Sequence, residues 1–401
     1  MGGTLSGITS GRLVLQNNAG DDLTLAADGK FSFATPIQAG AAYAITVRTQ
    51  PLWQFCTVAN GSGTAAGEVT GVTVTCKEAQ AVVSTLAGTG NEGSSDGDRL
   101  TAEFARPRGV KVDAAGNLYV TDSRFNLIRK VSPAGDVETV GGVGAGGSLS
   151  DPFDLSFDAG GNIYVTELTN HRVRKVTPAK VVIPLAGLAG NAGSNDGPGA
   201  SATFNQPAGI AIDVQGNLFI CDSQSQKIRR IAPDGEVSTF AGSGVQGSDD
   251  GTGRNATFSV PAGVAFDPAG NMFVTDFGSH LIRKITPQGV VTTPFGKART
   301  SGSADGKGND ATFSFPVGIA IDSSGSLYVA DSTSHVIRRI TPDGMVRTLA
   351  GTVRMSGSND GVGTQASFNI PYGVAVDAGG NVYVADQFNH KIRKITPTPA
   401  P

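Results

Sequence analysis

Apolar and polar positions alternate with period two in short runs along this chain. Gly, Asn, Asp or Pro bound each run, a pattern that predicts many short strands and tight turns. From residue 81 onward the runs form six copies of one phrase, with single-position exceptions. It reads Pro-x-Gly-(Ile/Val)-x-x-Asp-x-x-Gly-Asn-hydrophobic-(Tyr/Phe)-Val-x-Asp and, after a short gap, (Ile/Val)-Arg-(Lys/Arg)-(Ile/Val)-x-Pro. The anchoring prolines Pro107, Pro152, Pro207, Pro261, Pro316 and Pro371 are 45, 55, 54, 55 and 55 residues apart. In the third copy the strand-like runs are 209–212, 217–221, 227–231 and 236–241, and Pro233-Asp234-Gly235 supplies the last turn. Four antiparallel strands per unit of about 50 residues make one propeller blade.

The sixth copy stops after Lys391-Ile392-Arg393-Lys394-Ile395, one strand short. An orphan run before the first copy, Val83-Ser84-Thr85-Leu86-Ala87-Gly88, nearly repeats Val237-Ser238-Thr239-Phe240-Ala241-Gly242. It can supply the missing strand and remove two open sheet edges. The expected fold is therefore all-β: a six-bladed β-propeller over residues 79–401, its last outer strand supplied by residues 82–88. Ahead of it, residues 1–78 carry short strand-like runs such as Arg12-Leu13-Val14-Leu15-Gln16 and Tyr43-Ala44-Ile45-Thr46-Val47. These predict a small β-sandwich, and Lys77-Glu78-Ala79-Gln80 reads as a short linker.

Composition fits this picture: 56 Gly and 20 Pro among 401 residues, with 39% hydrophobic residues, suit an all-β chain. The net charge of −3 supplies no basic field for nucleic acid, and no apolar run approaches a membrane span. A monomer is expected. The start lacks a charged, apolar leader, while Cys56 and Cys76 flank strand-like runs in the small N-terminal segment. A disulfide between them would close a loop of about 20 residues, worth on the order of 3 kcal/mol. It implies an oxidising compartment, so the expected location is periplasmic, cell-surface or secreted, the leader being absent from this chain. Cys221 sits in a strand and reads as an inert buried thiol.

The Tyr-Val-x-Asp strand followed by Asn-His-basic-Ile, as in residues 164–173 and 383–392, resembles the NHL repeat family. Its His stands as His171, His280, His335 and His390, with Asn126 and Gln226 in the other two copies. The resemblance covers residues 81–397 and implies a propeller. It implies less about function, because the family spans RNA-binding, sensor and adhesion propellers, and related propellers include lyases and hydrolases. Residues 1–78 are similar in pattern to small immunoglobulin-like modules of bacterial exported proteins.

Five connections carry an added Gly-Ser-x-Asp-Gly segment followed by Ala-x-Phe-x-x-Pro, with Asp96, Asp196, Asp250, Asp305 and Asp360. One carboxylate per loop is too few for calcium, so a turn whose Phe (Phe104, Phe204, Phe258, Phe313 or Phe368) plugs between blades is expected, and no cofactor. The recurrent strand-end acids and third-strand arginines read as blade braces. Function is sought where the copies disagree. After the proline stand Arg108, Phe153 and Tyr372 instead of small residues; Asp154 replaces a Gly, Lys111 a small residue and Glu167 an Asp. The connection 141–151 lacks the insertion. These features predict a notch near copies six, one and two, lined by Arg106, Arg108, Lys111, Phe153, Asp154 and Tyr372, with Glu167 nearby. The expected role is non-enzymatic recognition of a protein, glycan or small ligand. The alternative is a lyase- or hydrolase-type enzyme with a channel-mouth active site.

Overall fold

Alternation of buried and exposed positions produces strands almost everywhere the pattern placed them, in a computed structural model that describes residues 1–9, 11–142 and 148–400. The chain divides into two units: Met1–Val82 together with the chain end from Thr396, and Val83–Ile395.

In the first unit, one sheet orders Gly29–Ser32, Gly2–Ser6, Val72–Glu78 and Gln54–Ala59, and the other Asp21–Leu25, Leu13–Asn17, Ala42–Thr49 and Ser62–Thr64. Leu5, Phe31, Val72 and Val74 of the first sheet and Leu13, Leu15 and Ile45 of the second enclose one core. Cys56 and Cys76 face each other across paired strands and form the expected disulfide. The anticipated linker contracts to Ala79, since strands run to Glu78 and resume at Gln80; Lys77 and Glu78 continue the alternation of Val72–Glu78 and stay paired.

The second unit contains six sheets of four or five strands, one per copy. Each starts at its proline: Pro107–Val112, Pro152–Phe157, Pro207–Ile212, Pro261–Phe266, Pro316–Ile321 and Pro371–Val376. These first strands touch in succession, and the last touches the first. The Pro-x-Gly glycines make that approach: a Cβ on Gly263 would meet the Val317 oxygen at 2.2 Å, and one on Gly373 the Arg108 oxygen at 2.2 Å. The orphan strand joins the last sheet, whose order is Gly361–Val362, Gln80–Ala87, Lys391–Thr398, Val382–Asp386, Pro371–Val376.

The inserted segments extend the sheets outward. Gly197–Pro198, Gly251–Thr252, Gly306–Lys307 and Gly361–Val362 add a short fifth strand that covers an outer edge. Phe104, Phe204, Phe258, Phe313 and Phe368 are wholly buried, as expected of plugs.

Candidate functional site

Buried arginines brace five of the six sheets. Arg229 donates to Asp222 (2.8 Å), to Asp196 of the insertion (2.7 Å) and to two carbonyls, with its guanidinium 5.1 Å from the Phe204 ring centre. Arg129, Arg283, Arg338 and Arg393 repeat this arrangement. Burial pushes the inner carboxyls of Asp122, Asp222, Asp276 and Asp331 up, opposed by amide and arginine donors. At Asp196 burial is outweighed by Thr239 and Arg229, which hold the carboxyl below its usual range. The insertion aspartates, weighed as calcium ligands, are therefore arginine and threonine acceptors. Among the described residues no group of three or more His, Cys, Asp or Glu is placed to hold a metal.

The recurrent histidine has one task in all its copies. Nδ1 of His171, His280, His335 and His390 accepts the amides of Gln206, Phe315, Ile370 and Arg106 at 3.0–3.2 Å. Gln226 and Asn126 do the same for Val260 and Asp151 at 2.6 Å. All six residues that donate these amides have φ between 48° and 56°, a left-handed conformation costly for Val260 and Ile370. Burial lowers the pKa of His280, His335 and His390.

Copy two departs from this frame. No insertion precedes it, so Leu149 stands where the others have Phe and is buried at that seam. Glu167, fully buried, takes the place of the inner Asp and pairs with both Arg172 and Arg174 while accepting the Ser150 amide at 3.0 Å. Its extra methylene lets one carboxylate serve two arginines. Glu167 thus lies in the brace and not in the channel.

The other irregular residues converge at the proline end of the channel. Arg108, Phe153, Ala208, Ala262, Val317 and Tyr372 occupy equivalent positions around it. Phe153, Ala208, Ala262 and Val317 are buried in one cluster, with Tyr372 packed against it. Phe153 and Tyr372 meet edge-on at 5.4 Å. The Arg108 guanidinium lies 5.6 Å and 6.0 Å from their ring centres and donates to Asp151 at 2.6 Å. Below them Lys111 pairs with Asp154 at 3.4 Å, and Asp154 also accepts the Ile210 amide at 3.3 Å. Two ion pairs therefore cross between copies one and two, and the exceptions Lys111 and Asp154 compensate each other.

The space left here is about 20 Å³, room for about one water. The large side chains close this mouth rather than line a depression. Arg106 stands apart: its guanidinium lies over Phe388 at 5.2 Å. The shallow part of the expected notch, residues 143–147, lies outside the described residues. The opposite end of the channel, lined by Lys111, Ser156, Ala211, Ala265, Ala320 and Ala375 among others, is wider, about 350 Å³.

Two family models match the second unit: Teneurin NHL domain over residues 80–249, and NHL repeat over 313–340 and 368–395. The chain is an NHL-repeat protein. It is 32% identical over 241 residues to human NHL repeat-containing protein 2, which covers 52% of this chain and 33% of that protein. Curated relatives of this kind are much longer; the aligned parts are 22% and 33% of the first two. Among solved structures, two from Bacteroides thetaiotaomicron share the fold. One is a structural genomics protein of unknown function (TM-score 0.65, 22% identity, 96% of this chain and 90% of that one). The other is an auxiliary nutrient binding protein (TM-score 0.63, 18% identity, 90% and 95%). No helix among the described residues is long and apolar enough to cross a membrane.

Proposed function

We propose that this NHL-repeat protein is a non-enzymatic recognition scaffold: a six-bladed propeller that follows an immunoglobulin-like β-sandwich in the chain, working outside the cytoplasm. Its contact surface is the closed channel mouth of blades six, one and two. The observation that carries this reading is the convergence of Arg108, Phe153 and Tyr372 from three copies into one fixed cluster. Arg108 is held by Asp151 and two rings before any ligand arrives, with its side chain 17% exposed, so little ordering cost is added on binding. Arginine and aromatic residues at the centre of a rigid surface are the usual energetic anchors of interfaces. A protein, a glycan or a small ligand carrying an acidic or carbonyl acceptor fits such a surface. The disulfide and the likeness to a nutrient binding protein support a role outside the cytoplasm.

The enzyme reading needs an acid or base free to act at the mouth. Asp154 is tied to Lys111 and an amide, and Glu167 to two arginines, which speaks for recognition. A glycan and peptide array, followed by surface plasmon resonance on the hits, tests the proposal. Arg108→Ala and Tyr372→Ala should each weaken a bound hit by at least about thirtyfold, the hot-spot range, while both variants stay folded by circular dichroism. Hits retained at full affinity by both variants would remove the mouth from consideration.

A further inference from the structure

A second concavity, of about 560 Å³, lies between the third and fourth sheets. It sits by the turns Asp213-Val214-Gln215-Gly216 and Asp267-Pro268-Ala269-Gly270, remote in sequence and lining from the mouth residues. Its volume is in the range of small-molecule sites.

The repeat supplies its own controls. In copies two, five and six the second-strand aromatic is a tyrosine whose hydroxyl donates to the turn aspartate: Tyr164 to Asp158, Tyr328 to Asp322 and Tyr383 to Asp377, at 2.8–3.0 Å. In copy three the residue is Phe219, which packs edge-on against Phe240 at 5.1 Å and Phe266 at 5.3 Å. The three rings that line the cavity therefore carry no hydroxyl. The basic residue next to it also differs. Lys175, Lys284 and Lys394 each lie 5.7 Å from the centre of their own sheet's ring. Arg230 turns aside instead and donates Nε and Nη2 to the side-chain Oδ1 of Asn217 at 3.0 and 2.6 Å.

Asn217 is itself fixed, donating its amide to Asp213 at 2.7 Å. Arg230 pairs with no carboxylate and stacks on no ring among the described residues. Arg230 lines the cavity, and its Nη1 makes no hydrogen bond among the described residues. The two rim carboxylates are occupied: Asp213 and Asp267 each accept two backbone amides and one Asn side chain of their own turns.

We propose that this cavity binds a planar aromatic small molecule bearing an acidic group, the ring against Phe219, Phe240 and Phe266 and the acidic oxygen on Arg230. Guanidinium is suited to such an acceptor because its planar donors are preorganised.

Two fluorescent probes that differ by a sulfonate test it: anilinonaphthalenesulfonate and neutral phenylnaphthylamine. The intact chain should bind the sulfonate probe saturably at one site. Arg230→Met should weaken that probe by about tenfold or more, the value of a charge-assisted hydrogen bond, and leave the neutral probe within about twofold. Ala269→Trp, at an exposed turn position lining the cavity, should weaken both probes and decides whether the cavity is the site if Arg230→Met folds poorly. Arg108→Ala should change neither, which separates this site from the mouth. Absence of saturable binding, or affinities unmoved by Ala269→Trp, overturns the cavity as a site. Equal weakening of both probes by Arg230→Met overturns the acidic ligand.

Discussion

Arg229 is a cation without solvent contact, and its stability rests on two carboxylates of unequal exposure. Asp222 is wholly buried, while the Asp196 side chain is 31% exposed and also meets Arg254. Removing a buried partner strands a charge; removing a partly hydrated one lets water replace it. Asp222→Ala should cost about 3–5 kcal/mol in urea unfolding, and Asp196→Ala about 1 kcal/mol or less. Equal costs would mean that the two carboxylates share the charge evenly. The same logic explains which parts of the site were legible in sequence. Arg108, Phe153 and Tyr372 were visible as exceptions at one repeat position. That Lys111 and Asp154 cancel each other was not, because they lie 43 residues apart and only strand adjacency pairs them.

Strands and turns were legible almost throughout, since period-two burial and Asp-x-x-Gly turns are local signals. Edge strands of two residues, such as Gly251–Thr252, were not: two residues carry no period. The boundary near residue 78 blurred for a related reason, as one alternating run passes almost directly into the next. The orphan strand is the strongest case of legibility. Thr85 gives its amide and hydroxyl to Asp360 at 3.1 Å, the bonds that Thr139 makes with Asp96 in the first sheet. Deleting residues 81–88 should therefore expose the edge of Lys391–Thr398 and that of Gly361–Val362 and drive aggregation, visible by light scattering. A soluble deletion variant with an unchanged melting temperature would show that the strand is dispensable.

At the scale of the ring, the histidines make its seams sensitive to acid. A protonated Nδ1 cannot accept the amide of a residue held at positive φ. Burial lowers the folded pKa of His280, His335 and His390 below 6.5, so the unfolded chain binds more protons in that range. Their contribution is complete above pH 6.5 and is lost as pH falls from there through the folded values. The melting temperature should decline from pH 7 towards pH 5.5. Gln226 does the same work without titrating, so a variant with His280→Gln, His335→Gln and His390→Gln should show a flatter profile by calorimetry. A parallel decline in both proteins would assign the acid response to other groups.

The pairing of Gln80–Ala87 with Lys391–Thr398 also bears on how the protein is made. The first strand of the ring leaves the ribosome roughly 300 residues before its partner. At about 5–20 residues per second that is an interval of roughly 15–60 s. Through that time Val83 and Leu86 have no finished sheet to join, while the other five sheets are completed one after another. Closure therefore waits for Lys391–Thr398 to leave the ribosome, and the nascent chain depends on staying unaggregated until then.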